Sequence, residues 1–195
     1  MFIELTDHLR CPAVHEERFL VLLPDRIEGR SVREGQLGCP VCGRTYAVID
    51  GVLDFGGGSW IDHPTTLRPD AISALSGVNG PGGYLVLVGP PAERWREVAA
   101  ELPGVGLVAV NPGPGVADEA GLSVLRAGTL PIKSASMRGV VLGRPYGDDP
   151  AWVREAARVV LPGLRVVGEG EAPPGEAVDL LATAGGVWVG VKARR

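Results

Sequence analysis

The chain is poor in the residues most often used for chemistry. Its 195 residues include three cysteines and three histidines, and aromatic residues make up 5%. Three cysteines are an odd number, so internal disulfides leave one thiol over, and metal ligation accounts for all three better. There is no excess of positive charge. Lys and Arg total 19 against 23 Asp and Glu, for a net charge of −4. Residues 1–60 carry 6 basic and 9 acidic side chains, so neither part offers the basic face that nucleic-acid binding requires. No apolar run approaches the roughly 20 residues of a membrane span. Glu4, Asp7 and Arg10 interrupt the first apolar residues, so no secretory leader is expected and the cytoplasm is the expected compartment. Walker loops and Gly-x-Ser-x-Gly elbows are missing. With 45% hydrophobic and 22% charged residues the composition is that of a globular protein able to bury a core. Gly 29 and Pro 17 predict short elements and many turns.

What chemistry the sequence does carry is concentrated between Leu9 and Phe55. Cys11 stands in Leu9-Arg10-Cys11-Pro12, and a second group reads Gly38-Cys39-Pro40-Val41-Cys42-Gly43. Cys-x2-Cys between Pro and Gly is a metal-ligand spacing, because the tight turn aims two thiolates at one point. Cys11, Cys39 and Cys42 supply three of the four ligands of a tetrahedral structural zinc site. The fourth falls to His15, four residues after Cys11, ahead of His8, which lies three residues before it on a short helix over 2–9. The competing reading makes Cys11 a small buried hydrophobe beside an empty knuckle. A closed four-ligand site leaves no open position for substrate.

Around these ligands the pattern is that of β-hairpins. Arg18 to Leu23 reads as a strand, 26–35 as a polar excursion, and Leu37 to Cys39 as the end of a second strand. Thr45 to Ile49 is a third, and Asp50-Gly51 turns it into Val52 to Phe55. Residues 1–56 thus form a small ribbon, and the Gly-rich 57–68 reads as a linker. From 69 to 195 strands alternate with helices. Tyr84 to Val88 is an unbroken apolar run, as in a strand buried on both faces. Further strands are expected at 105–110, 122–125, 139–143, 165–168 and 187–191. Helices are expected at 69–75, 92–102 and, behind the Asp149-Pro150 start signal, as far as Leu161. A helix is also expected over 176–184. The fold class is therefore α/β: β-hairpins followed by a Rossmann-like, mostly parallel open sheet with helices on both faces.

Two resemblances add to this. Leu9-Arg10-Cys11-Pro12 together with 37–52 resembles a zinc-ribbon family of small proteins that bind and activate tRNA, rRNA and translation-factor methyltransferases. Related ribbons precede methyltransferase domains in bacteria. That family opens with Cys-Pro-x-Cys, whereas Val14 stands at the second cysteine position here, with His15 beside it. Residues 69–193 resemble a class I S-adenosylmethionine-dependent methyltransferase domain, best in 155–167, which is similar to the family's helix, Pro-Gly turn and fifth strand.

The second resemblance implies a place for S-adenosylmethionine and also a defect in it. The family's first strand ends in a Gly-rich turn that lets backbone approach the cofactor; here it reads Val88-Gly89-Pro90-Pro91. Its second strand ends in an acid that holds the ribose hydroxyls; here Asn111 stands there, a weaker partner than an anion. Its third strand delivers an acid toward the adenine; here Arg126-Ala127-Gly128 follows. Gly89, Asn111 and Arg126 are the candidate cofactor contacts, set against plain roles as turn glycine, cap residue and solvated charge. The expectation is a zinc-binding protein whose methyltransferase-like domain is degenerate and non-catalytic. It would serve as a binding or regulatory module for a methyltransferase or translation-linked protein. The alternative is an active methyltransferase with an atypical cofactor pocket.

Overall fold

The computed structural model describes residues 1–60 and 63–193. All strands among them join one sheet. The first part is a chain of antiparallel hairpins: β1 (Val21–Glu28), β2 (Ser31–Gly38), β3 (Thr45–Ile49) and β4 (Val52–Asp54). The stretch expected to be a polar excursion is the β1–β2 hairpin itself. Gly29, at φ +60°, makes the left-handed turn that a side chain would resist. The first residues form a 3-10 helix over Ile3–His8.

The second part alternates as expected. It contains α1 (Pro69–Ser76), β5 (Tyr84–Val88), α2 (Trp95–Glu101), β6 (Gly106–Val110), β7 (Leu122–Arg126) and β8 (Met137–Leu142). It ends with α3 (Pro150–Val159), β9 (Val160–Glu169), β10 (Val178–Ala184) and β11 (Val187–Lys192). Strands β5 to β9 pair in parallel, and β11 runs antiparallel to β9. The helix expected over 176–184 is instead β10, paired antiparallel with β11. The sheet order is β1-β2-β3-β4-β7-β6-β5-β8-β9-β11-β10. Strand order thus reverses at β5, which lies between β6 and β8; this is the switch point of an open α/β sheet.

Side-chain alternation explains both covered faces. Leu85 and Leu87 of β5 pack with Ile72 of α1 and Val98 of α2. Val86 and Val88 point the other way, into a core with Val153 and Ala156 of α3. That second core also takes in Leu5, Leu37, Val48 and Leu53. The hairpins therefore share buried surface with the Rossmann-like part, and β4 is hydrogen-bonded in parallel to β7. Leu9 bridges to Ile132, and the Arg10 N–H donates to the Pro131 carbonyl at 3.0 Å. Both contacts hold the chain just ahead of Cys11.

Candidate functional site

Cys11, His15, Cys39 and Cys42 come together, with their ligand atoms all within 4.8 Å of one another. The Cys39–Cys42 turn is closed by two backbone bonds: the Gly43 N–H donates to the Cys39 carbonyl at 3.0 Å, and the Cys39 N–H to the Arg44 carbonyl at 2.8 Å. Opposite it, Cys11 Sγ lies 3.7 Å from Cys42 Sγ, and His15 Nε2 lies 3.4 Å from Cys39 Sγ. Zinc–sulfur bonds near 2.3 Å and zinc–nitrogen bonds near 2.05 Å give tetrahedron edges of about 3.8 and about 3.6 Å. The cluster therefore has the dimensions of a tetrahedral Cys3His site. His15 Nδ1 faces the Glu16 carbonyl at 2.7 Å. A proton on Nδ1 makes that bond and leaves Nε2 free to ligate. His8 takes no part: its ring packs edge-on against Tyr84, with centroids 5.2 Å apart.

Cys11 and Cys39 are buried and Cys42 is exposed. Without a metal these thiols differ. Burial pushes Cys11 up. The backbone N–H of Arg44, reinforced by the neighbouring ligands, pulls Cys42 down to about 7. Burial pushes the Tyr46 phenol far up, and its hydroxyl lies within hydrogen-bond distance of Cys11 Sγ at 3.0 Å. Sequence reasoning missed Tyr46. Its alternation with Val48 on the inner face of β3 marks it as buried, but nothing in the sequence shows that its hydroxyl meets a ligand sulfur.

The three candidate cofactor contacts lie along the carboxyl edge of the parallel strands. Gly89, at φ +69°, ends β5, and a Cβ there would come within 2.7 Å of the Tyr146 ring. Pro90 and Pro91 are buried and press on Gly143 at the end of β8, leaving no room for a side chain there. Asn111 ends β6, is 3% exposed and has φ +52°. Its amide is oriented by Ala127: Nδ2 donates to the Ala127 carbonyl at 2.8 Å, and Oδ1 accepts from the Ala127 N–H at 2.9 Å. Arg126 ends β7 exposed to solvent. Two hollows flank this edge, one lined by Gly57, Ser59, Asn111, Tyr146 and Trp152 and one by Trp60, Asn111, Pro114 and Arg126, each of about 200 Å³. Sites for small molecules and cofactors usually hold about 300–1,000 Å³.

No family model matches the chain, and no curated protein matches it. Solved structures do. A chain of the complex between the Haloferax volcanii Trm112 methyltransferase activator and a methyltransferase is 20% identical, with a TM-score of 0.42, over 51% of this chain and 49% of that one. The Bacillus subtilis YcgJ protein is 13% identical, with a TM-score of 0.41, over 54% and 52%. Haemonchus contortus phosphoethanolamine N-methyltransferase 2, solved with S-adenosyl-L-methionine, is 16% identical, with a TM-score of 0.40, over 51% and 27%. The chain spans about half or less of the length of these structures. The strand order itself defines the class: an α/β protein with a mostly parallel, Rossmann-like sheet, carrying a Cys3His cluster beside its hairpins.

Proposed function

We propose that the chain is a non-catalytic zinc protein. Its methyltransferase-like domain has given up S-adenosylmethionine, and it acts as a binding or regulatory module for a methyltransferase or a translation-linked partner. Zinc at Cys11, His15, Cys39 and Cys42 would be structural, holding the β1–β4 hairpins, which have little core of their own. The observation that carries the reading is the state of Asn111. The family's ribose partner at the end of β6 is an anion, and here a neutral, 3% exposed amide stands there, oriented by a bond from each of its ends to Ala127. Freeing it would leave a buried N–H and C=O unpaired, at a cost of about 1–3 kcal/mol for each group. The partner class rests on the resemblance of the ribbon to methyltransferase activators.

Calorimetry with S-adenosylmethionine on the zinc-loaded chain tests the reading. No binding heat at millimolar cofactor is expected. Micromolar affinity would overturn it in favour of an active methyltransferase with an atypical pocket.

A further inference from the structure

Residues 55–60 and 65–67, which follow β4, lie along the carboxyl edge of the parallel strands. It first prolongs β4 along β7: the Phe55 N–H donates to the Arg126 carbonyl at 2.8 Å, and the Gly128 N–H to the Gly56 carbonyl at 3.0 Å. Gly57 then lies against Gly128, where a Cβ on Gly57 would sit 3.5 Å from the Gly128 Cα. Gly58 is tighter still, since a Cβ there would run into Asn111 Oδ1 and the Ala127 backbone nitrogen. The Tyr146 hydroxyl, beyond β8, donates to the Ser59 carbonyl at 3.1 Å. The Trp60 indole nitrogen lies close over Gly113.

The far side of the stretch is latched. Glu169, 1% exposed at the end of β9, turns Oε1 toward residues 65–67. That oxygen accepts from the hydroxyls of Thr65 and Thr66 at 3.0 and 2.8 Å, and from the N–H groups of Thr66 and Leu67. Its Oε2 accepts from the Arg144 N–H at 3.2 Å. A buried carboxylate stays in such a place only if its lone pairs are filled. Here strap residues fill one oxygen and the loop after β8 fills the other.

In open α/β sheets, ligands bind outside the carboxyl ends of the strands at the switch point. We infer that residues 57–60 are a built-in occupant of that crevice. Tyr146 holds the strap at Ser59, Glu169 holds the chain at 65–67, and the strap keeps nucleoside-type ligands from the ends of β6 and β7. Its glycines are what the place requires, because the backbone must lie where a cofactor would lie. This inference rests on reading the carboxyl edge as the vacated cofactor site.

Hydrogen exchange read by mass spectrometry on the full zinc-loaded chain tests it. In the wild type, the N–H groups of Phe55, Thr66, Leu67 and Gly128 should exchange at least tenfold more slowly than in an unstructured chain. Gly58→Ala should lift the strap. Exchange at Phe55 and Gly128 should then rise at least tenfold, with β5 and β6 unchanged. Should Gly58→Ala fail to fold, Tyr146→Phe removes only the hydroxyl and should raise exchange at Gly128 severalfold. Unstructured rates in the wild type, or no change in the variant that folds, would overturn the inference.

A second arm adds 1 mM S-adenosylmethionine to the wild type. No heat with the strap protected supports both inference and reading. Binding heat with loss of strap protection overturns the non-catalytic reading while the strap stands, as a lid that opens. Binding heat with protection unchanged overturns both.

Discussion

The sequence leaves two histidines as candidates for the fourth metal ligand, and the geometry separates them. His15 Nε2 sits 3.4 Å from Cys39 Sγ, one edge of a tetrahedron, while His8 packs on Tyr84. Structural zinc in small domains binds with about 10–16 kcal/mol of apparent free energy at pH 7. An even share for one ligand of four is about 3 kcal/mol. At 1.4 kcal/mol per decade that weakens affinity roughly a hundredfold. His15→Ala should therefore lower zinc affinity about a hundredfold in competition with a chromogenic chelator. It should keep the three thiolates, so that cobalt substitution still gives sulfur-to-metal charge-transfer bands but loses the tetrahedral Cys3His spectrum. His8→Ala should bind zinc as the wild type does. The wild type itself should hold one zinc per chain and lose it on Cys39→Ser. Equal losses in His8→Ala and His15→Ala would refute the assignment, and a folded chain that takes up no zinc when zinc is supplied would refute the site.

Asn111→Ala should cost about 3 kcal/mol, from unpairing both backbone groups of Ala127 and from placing alanine in the left-handed region; urea denaturation measures it, and a change below about 1 kcal/mol would mean the two bonds are not made. Acid should loosen the join between α3 and the loop after β7. Burial pushes Glu155 up, but bonds from Arg158 and Thr129 and the charge of Arg10 outweigh it and hold its carboxyl below the usual value. A depressed carboxyl contributes stability above its unfolded pKa, near 4.5. That contribution is lost as pH falls from there through the folded value. Glu155→Gln should flatten the acid limb of a plot of melting temperature against pH, and an unchanged limb would remove Glu155 from the account.

Much of the architecture is legible in the sequence because burial writes itself into patterning. Tyr84 to Val88 has apolar residues on both sides of the strand because α1 and α2 cover one face and α3 the other. The knuckle is legible because its thiolates must be close in sequence to share a turn. The misread segments are those where burial says little. Six of the seven residues of β10 are exposed. Leu180, Leu181 and the alanines are helix formers by intrinsic propensity, and what makes the segment a strand is its pairing with β11. Likewise Asp25, Arg26 and Glu28 disguise the outer half of β1, an edge strand whose charges face solvent. Gly56 to Gly58 read as a flexible joint by composition, because a glycine needed for close approach looks the same as one needed for freedom.

The strand that joins the hairpins to the parallel sheet gives the metal cluster its reach. β4 is three residues long and pairs with β3 on one side and β7 on the other. So short a strand contributes few ladder bonds, and β3 in turn depends on β2, whose end carries Cys39 one residue beyond Gly38. The chain ahead of Cys11 is pinned independently to 131–133, where the Lys133 N–H donates to the His8 carbonyl at 2.8 Å. A metal held by the four side chains would tie together two segments that are each anchored to the same sheet, one through β4 and β7 and one through Ile132. A metal bound there closes a loop between two fixed points, so the ordering it needs has been supplied largely by the sheet. The same pairing carries on past Asp54, and because Gly38 pairs with Thr45, Ala47 with Asp54 and Asp54 with Arg126, the Cys3His cluster lies toward the same end of the strands as the carboxyl edge of β7.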